Sequence, residues 1–357
     1  MAKARTSTLY VCSHCGTKSH KWVGQCSSCG SWNTLGLVTA TGVSPGLSSD
    51  SVTPARLADV VTRNYERYPT GLSELDRVLG GGLVPGSVVL LGGEPGIGKS
   101  TLALQALGCL SNMHETLYVS AEESVEQLAM RYQRLGVSSQ KLTALCDGQL
   151  ETLIAELDRT PYGVLVVDSI QTLRTQELES SPGSVGQVRE CADRLVVEAK
   201  RRGISIILIG HVTKEGALAG PKTLEHLVDT VLYFEGDTTS RFRLVRAWKN
   251  RFGSVNEVGV FAMEPNGLKA VKNPSAIFLS GTQMESAGTA IFVSQDGTRP
   301  MLVEVQALVD QSSLGNPRRL SVGYETHRLN MLLAILHRHA GISLLDQDVF
   351  VNVAGGL

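Results

Sequence analysis

The sequence predicts an α/β protein: a mainly parallel β-sheet flanked by helices, with a small cysteine-rich module before it and a shorter α+β piece after it. Three observations carry that expectation. Short apolar runs (SVVLLGG at 87–93, TLYVS at 116–120, GVLVVD at 163–168, ISIILIG at 204–210) alternate with segments of helical periodicity. Such alternation builds parallel sheets, because two parallel strands need a long crossover between them. Four cysteines crowd into residues 12–29, ahead of the first run. Beyond residue 287 the alternation gives way to strand, turn, strand, an apolar helix and one more strand.

At 357 residues the chain has room for two or three domains. Its net charge of −1 excludes a global field that would draw nucleic acid, so any such binding rests on local patches. Apolar residues make up 42% and mean hydropathy is +0.04, as in soluble globular proteins. The apolar runs are far too short to span a bilayer, and no charged-then-apolar leader opens the chain. Seven cysteines, an odd number with no export signal, point to free thiols and metal ligands and hence to the cytoplasm.

Residues 12–30 read CSHCGTKSHKWVGQCSSCG. Cys12, Cys15, Cys26 and Cys29 form two C-x2-C pairs separated by ten residues. Each pair can turn two thiolates toward one ion, and together they complete a tetrahedral site for Zn²⁺. Gly16 and Gly30 follow the pairs, where the backbone must turn sharply. His14 and His20 stand nearby, but four thiolates leave them no vacancy, and a site closed by four protein ligands is structural. Lys3, Arg5, Lys18, Lys21, Trp22 and Trp32 surround it, with no acidic residue before Asp50. Contact with DNA or a protein partner fits these residues, as does a plain solvated face. VTATGVSPGLSSDSVTPARLA at 38–58 is small, polar and interrupted by two prolines, the composition of a linker. The expected division is a zinc module at 1–37, a linker at 38–66, a core at 67–273 and a tail at 274–357.

Gly93, Glu94, Pro95, Gly96, Ile97, Gly98, Lys99, Ser100 and Thr101 spell G-x4-G-K-S-T between an apolar strand and the helical pattern TLALQALGCL. That strand–loop–helix context is the one a phosphate-binding loop requires. Its glycines let backbone N–H groups wrap the β- and γ-phosphates. Lys99 adds a point charge, Ser100 a hydroxyl for Mg²⁺, and the helix N-terminus a partial positive charge. ATP or GTP is the implied ligand.

The other strand tips carry polar residues. Asp168 ends GVLVVD, where an acid can hold the water shell of Mg²⁺. Glu122 and Glu123 follow TLYVS, where either can polarise an attacking water. All three could instead cap helices. His211 follows ISIILIG, beside the other strand ends, where it can sense a γ-phosphate. Apolar residues at 3–4 spacing in 184–203 predict a helix. DTVLYFEG and FRLVRAWKNRFG read as further strands with hairpin character. In the second, Lys249 and Arg251 stand at i and i+2, share one face of a strand, and can grip one anion together.

TGLSELDRVLGGGLVPGS leading into GGEPGIGKST, then SAEES, VVDSIQT and GHVTKEG, resembles the RecA-type P-loop ATPase superfamily. The cysteine knuckles in front and KNRFG behind narrow the resemblance to the bacterial RadA (Sms) family of DNA repair and recombination proteins, along essentially the whole chain. The resemblance implies a cytoplasmic homo-hexamer that uses ATP and Mg²⁺ to translocate on single-stranded and branched DNA and promote branch migration, with a recombinase protein as a further partner. It implies Lys99 and Ser100 as the P-loop pair, Asp168 as the magnesium-side acid and Glu122 as the catalytic glutamate, with Glu123 the alternative. Arg251 resembles a finger that acts on a neighbouring subunit's γ-phosphate, with Lys249 as its companion; a salt bridge within the chain or a DNA phosphate are the alternatives. Segments 171–187 and 212–223 fall where relatives carry DNA-facing loops and offer Arg174, Lys214 and Lys222, all of which could equally be solvated.

The tail resembles the start of a Lon-protease-like domain, here halting about halfway, before the region of a catalytic Ser and Lys, so no protease activity is expected. A half-built domain of this kind would leave apolar residues of 328–353 uncovered and the core indifferent to its removal. The nearest different reading is a KaiC-like regulatory P-loop ATPase acting on proteins; a zinc-dependent adaptor that never hydrolyses ATP is a third. ATP hydrolysis with and without single-stranded DNA separates them.

Overall fold

In this computed structural model the described residues are 9–12, 17–19, 23–32, 35–38, 66–211, 223–236, 241–275, 279, 287–296, 298–312 and 316–353. They fall in two units, Met1–Arg63 and Asn64–Leu357. In the first unit, β1 (Leu9–Cys12) pairs antiparallel with β2 (Lys18–Ser19) on one side and β3 (Leu35–Val38) on the other.

In the second unit each apolar run becomes a strand of one sheet. Its strands are β4 (Val88–Gly93), β5 (Thr116–Ser120), β6 (Leu142–Leu145), β7 (Val164–Asp168), β8 (Ser205–His211), β9 (Thr230–Glu235), β10 (Phe242–Asn250), β11 (Val258–Glu264) and β12 (Gly267–Ala270). Their order is β12-β11-β10-β9-β4-β8-β7-β5-β6. From β9 to β6 all neighbours are parallel; β9 through β12 run antiparallel.

The helices are α1 (Ser73–Leu79), α2 (Lys99–Leu110), α3 (Val125–Arg134), α4 (Leu150–Arg159) and α5 (Val185–Arg202). Successive strand residues point to opposite faces, and each face has its own core. Val89, Leu91, Tyr118, Val166, Ile207 and Ile209 pack with α1 and α2. Val88, Leu90, Leu117, Val119, Leu165 and Leu208 pack with α4 and α5. Burial on both faces is why these strands read as unbroken apolar runs. α5 realises the helix expected at 184–203: the Ser184 hydroxyl caps its start and Gly203, at φ 73°, ends it.

A separate four-stranded sheet, β13-β14-β16-β15, follows. Here β13 (Thr289–Asp296) and β14 (Arg299–Gln311) form the expected hairpin, Asp296 pairing with Arg299. β16 (Gln347–Val353) pairs antiparallel with β14 and parallel with β15 (Arg319–Val322). α6 (Thr326–Ile335) buries Leu329 alone and leaves Met331, Leu332 and Ile335 exposed, so the expected uncovered apolar surface is present. The turn end of the hairpin is tied to α1 and to the residue just before β11. Arg299 Nη1 pairs with Glu74 Oε2 at 2.5 Å, and Thr298 N donates to Glu257 Oε1 at 3.2 Å. No described helix is long and apolar enough to cross a membrane.

Candidate active site

Gly93 to Thr101 connect the C-terminal end of β4 to the start of α2. Gly96 and Gly98 adopt φ 75° and 119°, which side chains disfavour. A Cβ on Gly98 would stand 2.8 Å from the Met263 methyl, so β11 packs closely against the loop. Ile97 is buried and anchors the loop, while Glu94, Pro95 and Gly96 face outward. α2 starts without a side-chain cap or an acid in its first turn, so its first N–H groups are left for an anion.

Lys99 is 3% exposed, and its Nζ donates to the carbonyls of Gly93 and Glu94 at 2.8 Å each. Burial lowers its pKa to about 8, against the opposing pull of the Asp168 and Glu122 carboxylates. Lys99, Asp168 and Glu122 therefore share one electrostatic neighbourhood. The register explains why: Gly93 pairs with His211, and Ser120 with Asp168, so four strand ends open on one edge of the sheet.

The two glutamates are sorted by their surroundings. Ser120 Oγ accepts from the N–H groups of both, fixing the turn. Glu122 keeps its side chain 47% exposed, accepts from Ser169 Oγ at 2.8 Å, and lies 3.8 Å from His211 Nε2. Glu123 is ion-paired to Arg131 of α3. Neither caps a helix: α3 is capped by Ser124 in a full capping box with Gln127. Asp168 is no cap either; Ser169 stands at that position of the following 3₁₀ turn. His211 has its Nδ1 buried without a hydrogen-bond partner among the described residues, and Gln171 donates to its carbonyl at 3.4 Å.

Lys249 and Arg251 converge, although not by strand alternation. A bulge interrupts the β9–β10 register between Ala247 and Lys249, and β10 ends at Asn250. Lys249 Nζ donates to the carbonyls of Glu225 (2.6 Å) and Val228 (2.8 Å). Arg251 Nη1 meets Asp229 Oδ1 at 3.0 Å with half its side chain exposed. Burial and the nearby Arg251 charge both depress the Lys249 pKa, with Asp229 and Glu225 opposing. Asp229 also accepts from Val88 N, at the start of β4, whereas the phosphate-binding loop leaves its end. Five residue-to-residue rises separate Val88 from Gly93, about 16 Å at roughly 3.3 Å each. The pair cannot serve the loop of its own chain.

Arg174 is exposed, and its guanidinium donates to the Gln149 side-chain oxygen at 2.8 and 3.0 Å. The loop after it is held in place: buried Gln187 donates to the carbonyls of Thr175, Leu178 and Ser180. Lys214 and Lys222 lie outside the described residues.

In the first unit, Cys26 and Cys29 share one tight turn. Gly30 N donates to Cys26 O at 2.8 Å and Gly30 takes φ 71°. Cys26 is buried and Cys29 half-buried. The backbone of Cys12 ends β1, and Cys15 lies outside the described residues, so the set of four is not assembled among them. One C-x2-C turn of this form fits a metal knuckle.

A family model described as an AAA domain matches residues 51–217, and one described as a rubredoxin metal binding domain matches 10–36. The DNA repair protein RadA of Pseudomonas aeruginosa is 54% identical over 100% of this chain and 80% of its own length. That of Escherichia coli is 49% identical over the same shares. The chain belongs to the RadA family. Among solved structures, the RadB recombinase covers 57% of the chain, and the chain all of it, at 22% identity and TM-score 0.46. RadA relatives thus extend over both units, the cysteine turn and the strand-end site alike.

Three side chains at the site escaped sequence reading. Tyr118 donates its hydroxyl to Asp168 Oδ2 at 2.5 Å. Arg131 reaches both Glu123 and Asp168. Arg243, buried on β10, donates to the Ile97 carbonyl of the loop at 3.2 Å. The first had a signal: a tyrosine inside a fully buried strand needs a partner for its hydroxyl.

Proposed function

We propose that the protein is a DNA-dependent ATPase of recombinational DNA repair, a cytoplasmic hexameric motor that translocates on single-stranded and branched DNA and promotes branch migration. The observation that carries the ATPase reading is the convergence of Lys99, Asp168 and Glu122 at one sheet edge. DNA repair as the setting is supported by the RadA relatives matched along the whole chain.

The residues fit ATP with Mg²⁺. The uncapped start of α2 and the loop N–H groups would receive the β- and γ-phosphates, with Lys99 as their counter-charge. Ser100 and Asp168 would hold the metal, whose positive charge would offset the negative charge on the phosphate oxygens. Glu122, oriented by Ser169 and near His211, would take the position from which a water is polarised. Its lack of an arginine partner among the described residues, beside Glu123 paired to Arg131, supports Glu122 for this role. Lys249 and Arg251, too far from their own loop, are read as serving the nucleotide of a neighbouring subunit. The knuckles of Cys12, Cys15, Cys26 and Cys29 are read as a structural Zn²⁺ site. Arg174, Lys214 and Lys222 are read as DNA phosphate contacts, and a recombinase protein as a further partner.

The test is ATP hydrolysis with and without single-stranded DNA. Stimulation by DNA is expected. Turnover that responds to a protein partner and ignores DNA would sink the motor reading in favour of a regulatory ATPase.

A further inference from the structure

Asp168 presents its two oxygens to different worlds. Oδ2 accepts from the Tyr118 hydroxyl at 2.5 Å and lies 3.9 Å from Arg131 Nη1. Oδ1 has no protein partner among the described residues. A carboxylate turns readily about its last torsion, whose energy wells are broad. Here that rotation is opposed twice on the same oxygen.

Both partners of Oδ2, the hydroxyl that donates to it and the guanidinium that attracts it by charge alone, are unusual for their positions. Tyr118 is fully buried in β5, so its hydroxyl must find its partner inside the protein, and Asp168 is that partner. Arg131 sits on α3, a helix whose one buried residue is Leu128. Its guanidinium stands between Glu123 and Asp168, two carboxylates that would otherwise repel across a poorly solvated gap. Glu123 Oε2 and Arg131 Nη1 are both buried without hydrogen-bond partners among the described residues, and the ion pair with Arg131 is what holds the Glu123 side chain there.

We propose that Tyr118 and Arg131 are positioning residues of the nucleotide site. They fix Asp168 by Oδ2 so that Oδ1 faces the metal's water shell, and Arg131 draws Glu123 aside so that Glu122 is the carboxylate without an arginine partner. This rests on reading the site as one for ATP and Mg²⁺. Neither residue touches the nucleotide, so loss of either loosens the metal without weakening the phosphate grip itself.

The experiment is binding of a fluorescent ATP analogue, titrated with Mg²⁺ and repeated in EDTA, for wild type, Tyr118→Phe, Arg131→Gln and Arg131→Lys, each checked by thermal melting. Tyr118→Phe and Arg131→Gln should each raise the Mg²⁺ concentration for half-maximal effect about 10-fold, the lower end for outer-shell partners of metal ligands. Affinity in EDTA should stay within about twofold, since the contacts left there are those of the loop. Arg131→Lys keeps a charge for Glu123 without the planar fork and should fall between. If Arg131→Gln does not fold, the isosteric Tyr118→Phe decides by itself. An unshifted Mg²⁺ titration in a folded variant overturns the inference. So does an equal loss in EDTA, which would make Arg131 a direct phosphate ligand. Wild-type protein that fails to bind the analogue at all removes the ATP site, and the inference with it; wild-type binding with unshifted variants removes the inference alone.

Discussion

Arg299, on the hairpin of the C-terminal sheet, forms a nearly buried ion pair with Glu74 in the first turn of α1, 225 positions earlier in the chain. Glu74 Oε2 also accepts from Val260 N in β11 at 2.8 Å, so a single carboxylate joins helix, central sheet and tail. α1 carries the connection further. At its other end Asn250 Nδ2 donates to the carbonyls of Val78 and Leu79, and Arg67 donates to those of Leu79 and Phe252. The segment bearing Lys249 and Arg251 and the C-terminal hairpin are thus braced against the same short helix.

Removing one partner of a buried pair leaves the other charge uncompensated. Arg299→Ala is expected to lower unfolding free energy in urea by about 3 kcal/mol. Arg159→Ala, which removes an exposed bridge to Glu156, should cost about 1 kcal/mol or less. Deleting 274–357 should behave like Arg299→Ala, not like a neutral trimming, which sets the structure against the sequence-based expectation of an indifferent core. A deletion variant as stable as the intact chain would show that the Glu74 pair contributes nothing.

The cysteine turns predict about one zinc per chain, as in a four-thiolate site. Cys12→Ser and Cys26→Ser should each abolish it, as read by elemental analysis of the purified protein. Urea unfolding of the second unit should be unchanged in both, because the two units are separately compact. Freshly purified wild-type protein without metal would remove the assignment.

At the strand ends, Lys99→Ala should weaken nucleotide binding and stop turnover, since the loop loses its counter-charge. Glu122→Gln should leave binding within about twofold and slow hydrolysis by roughly 10²-fold or more, the scale of one general base. Glu123→Gln releases Arg131 and should slow hydrolysis far less. If the two glutamine variants exchange their effects, the water is polarised by Glu123.

Lys249 and Arg251 can be assigned by mixing subunits. Lys99→Ala and Arg251→Ala proteins should each be inactive, an arginine acting on transferring phosphate being worth on the order of 10³-fold. Mixed together, some interfaces regain an intact loop facing an intact arginine, and ATPase activity should partly return. Mixed oligomers that form without any recovery would confine Arg251 to its pairing with Asp229. An Arg251→Ala protein that keeps basal turnover and loses only stimulation by DNA would make the anion a DNA phosphate.

Local features carried most of what could be read ahead of the structure. The phosphate-binding loop was legible because strand, glycine loop and helix are contiguous, and because burial on both faces turns a parallel strand into an uninterrupted apolar run. The hairpin near Asp296 and the helix at 184–203 were legible for the same reason, their signals lying within a few residues. β6 was missed because it is a four-residue edge strand, half-exposed, with no run to mark it. β11 and β12 form a short antiparallel extension whose strands follow no helix, so alternation gave no cue.

What the sequence by itself determined, then, is which residues have the chemistry: Lys99, Asp168, the Glu122–Glu123 pair, the cysteines, Lys249 and Arg251. Tertiary structure decided which of them meet. Tyr118 and Asp168 stand 50 positions apart and touch because β5 and β7 are neighbours, an order no local pattern encodes. Glu122 and Glu123 are adjacent in the chain and differ because α3 brings Arg131 to one of them. Lys249 and Arg251 converge through a bulge and a turn, at the end of the sheet remote from their own loop. The physical reason is common to all three. A side chain's identity is local, but its desolvation and its partners are set by the elements that pack around it, and those are chosen by the whole sheet.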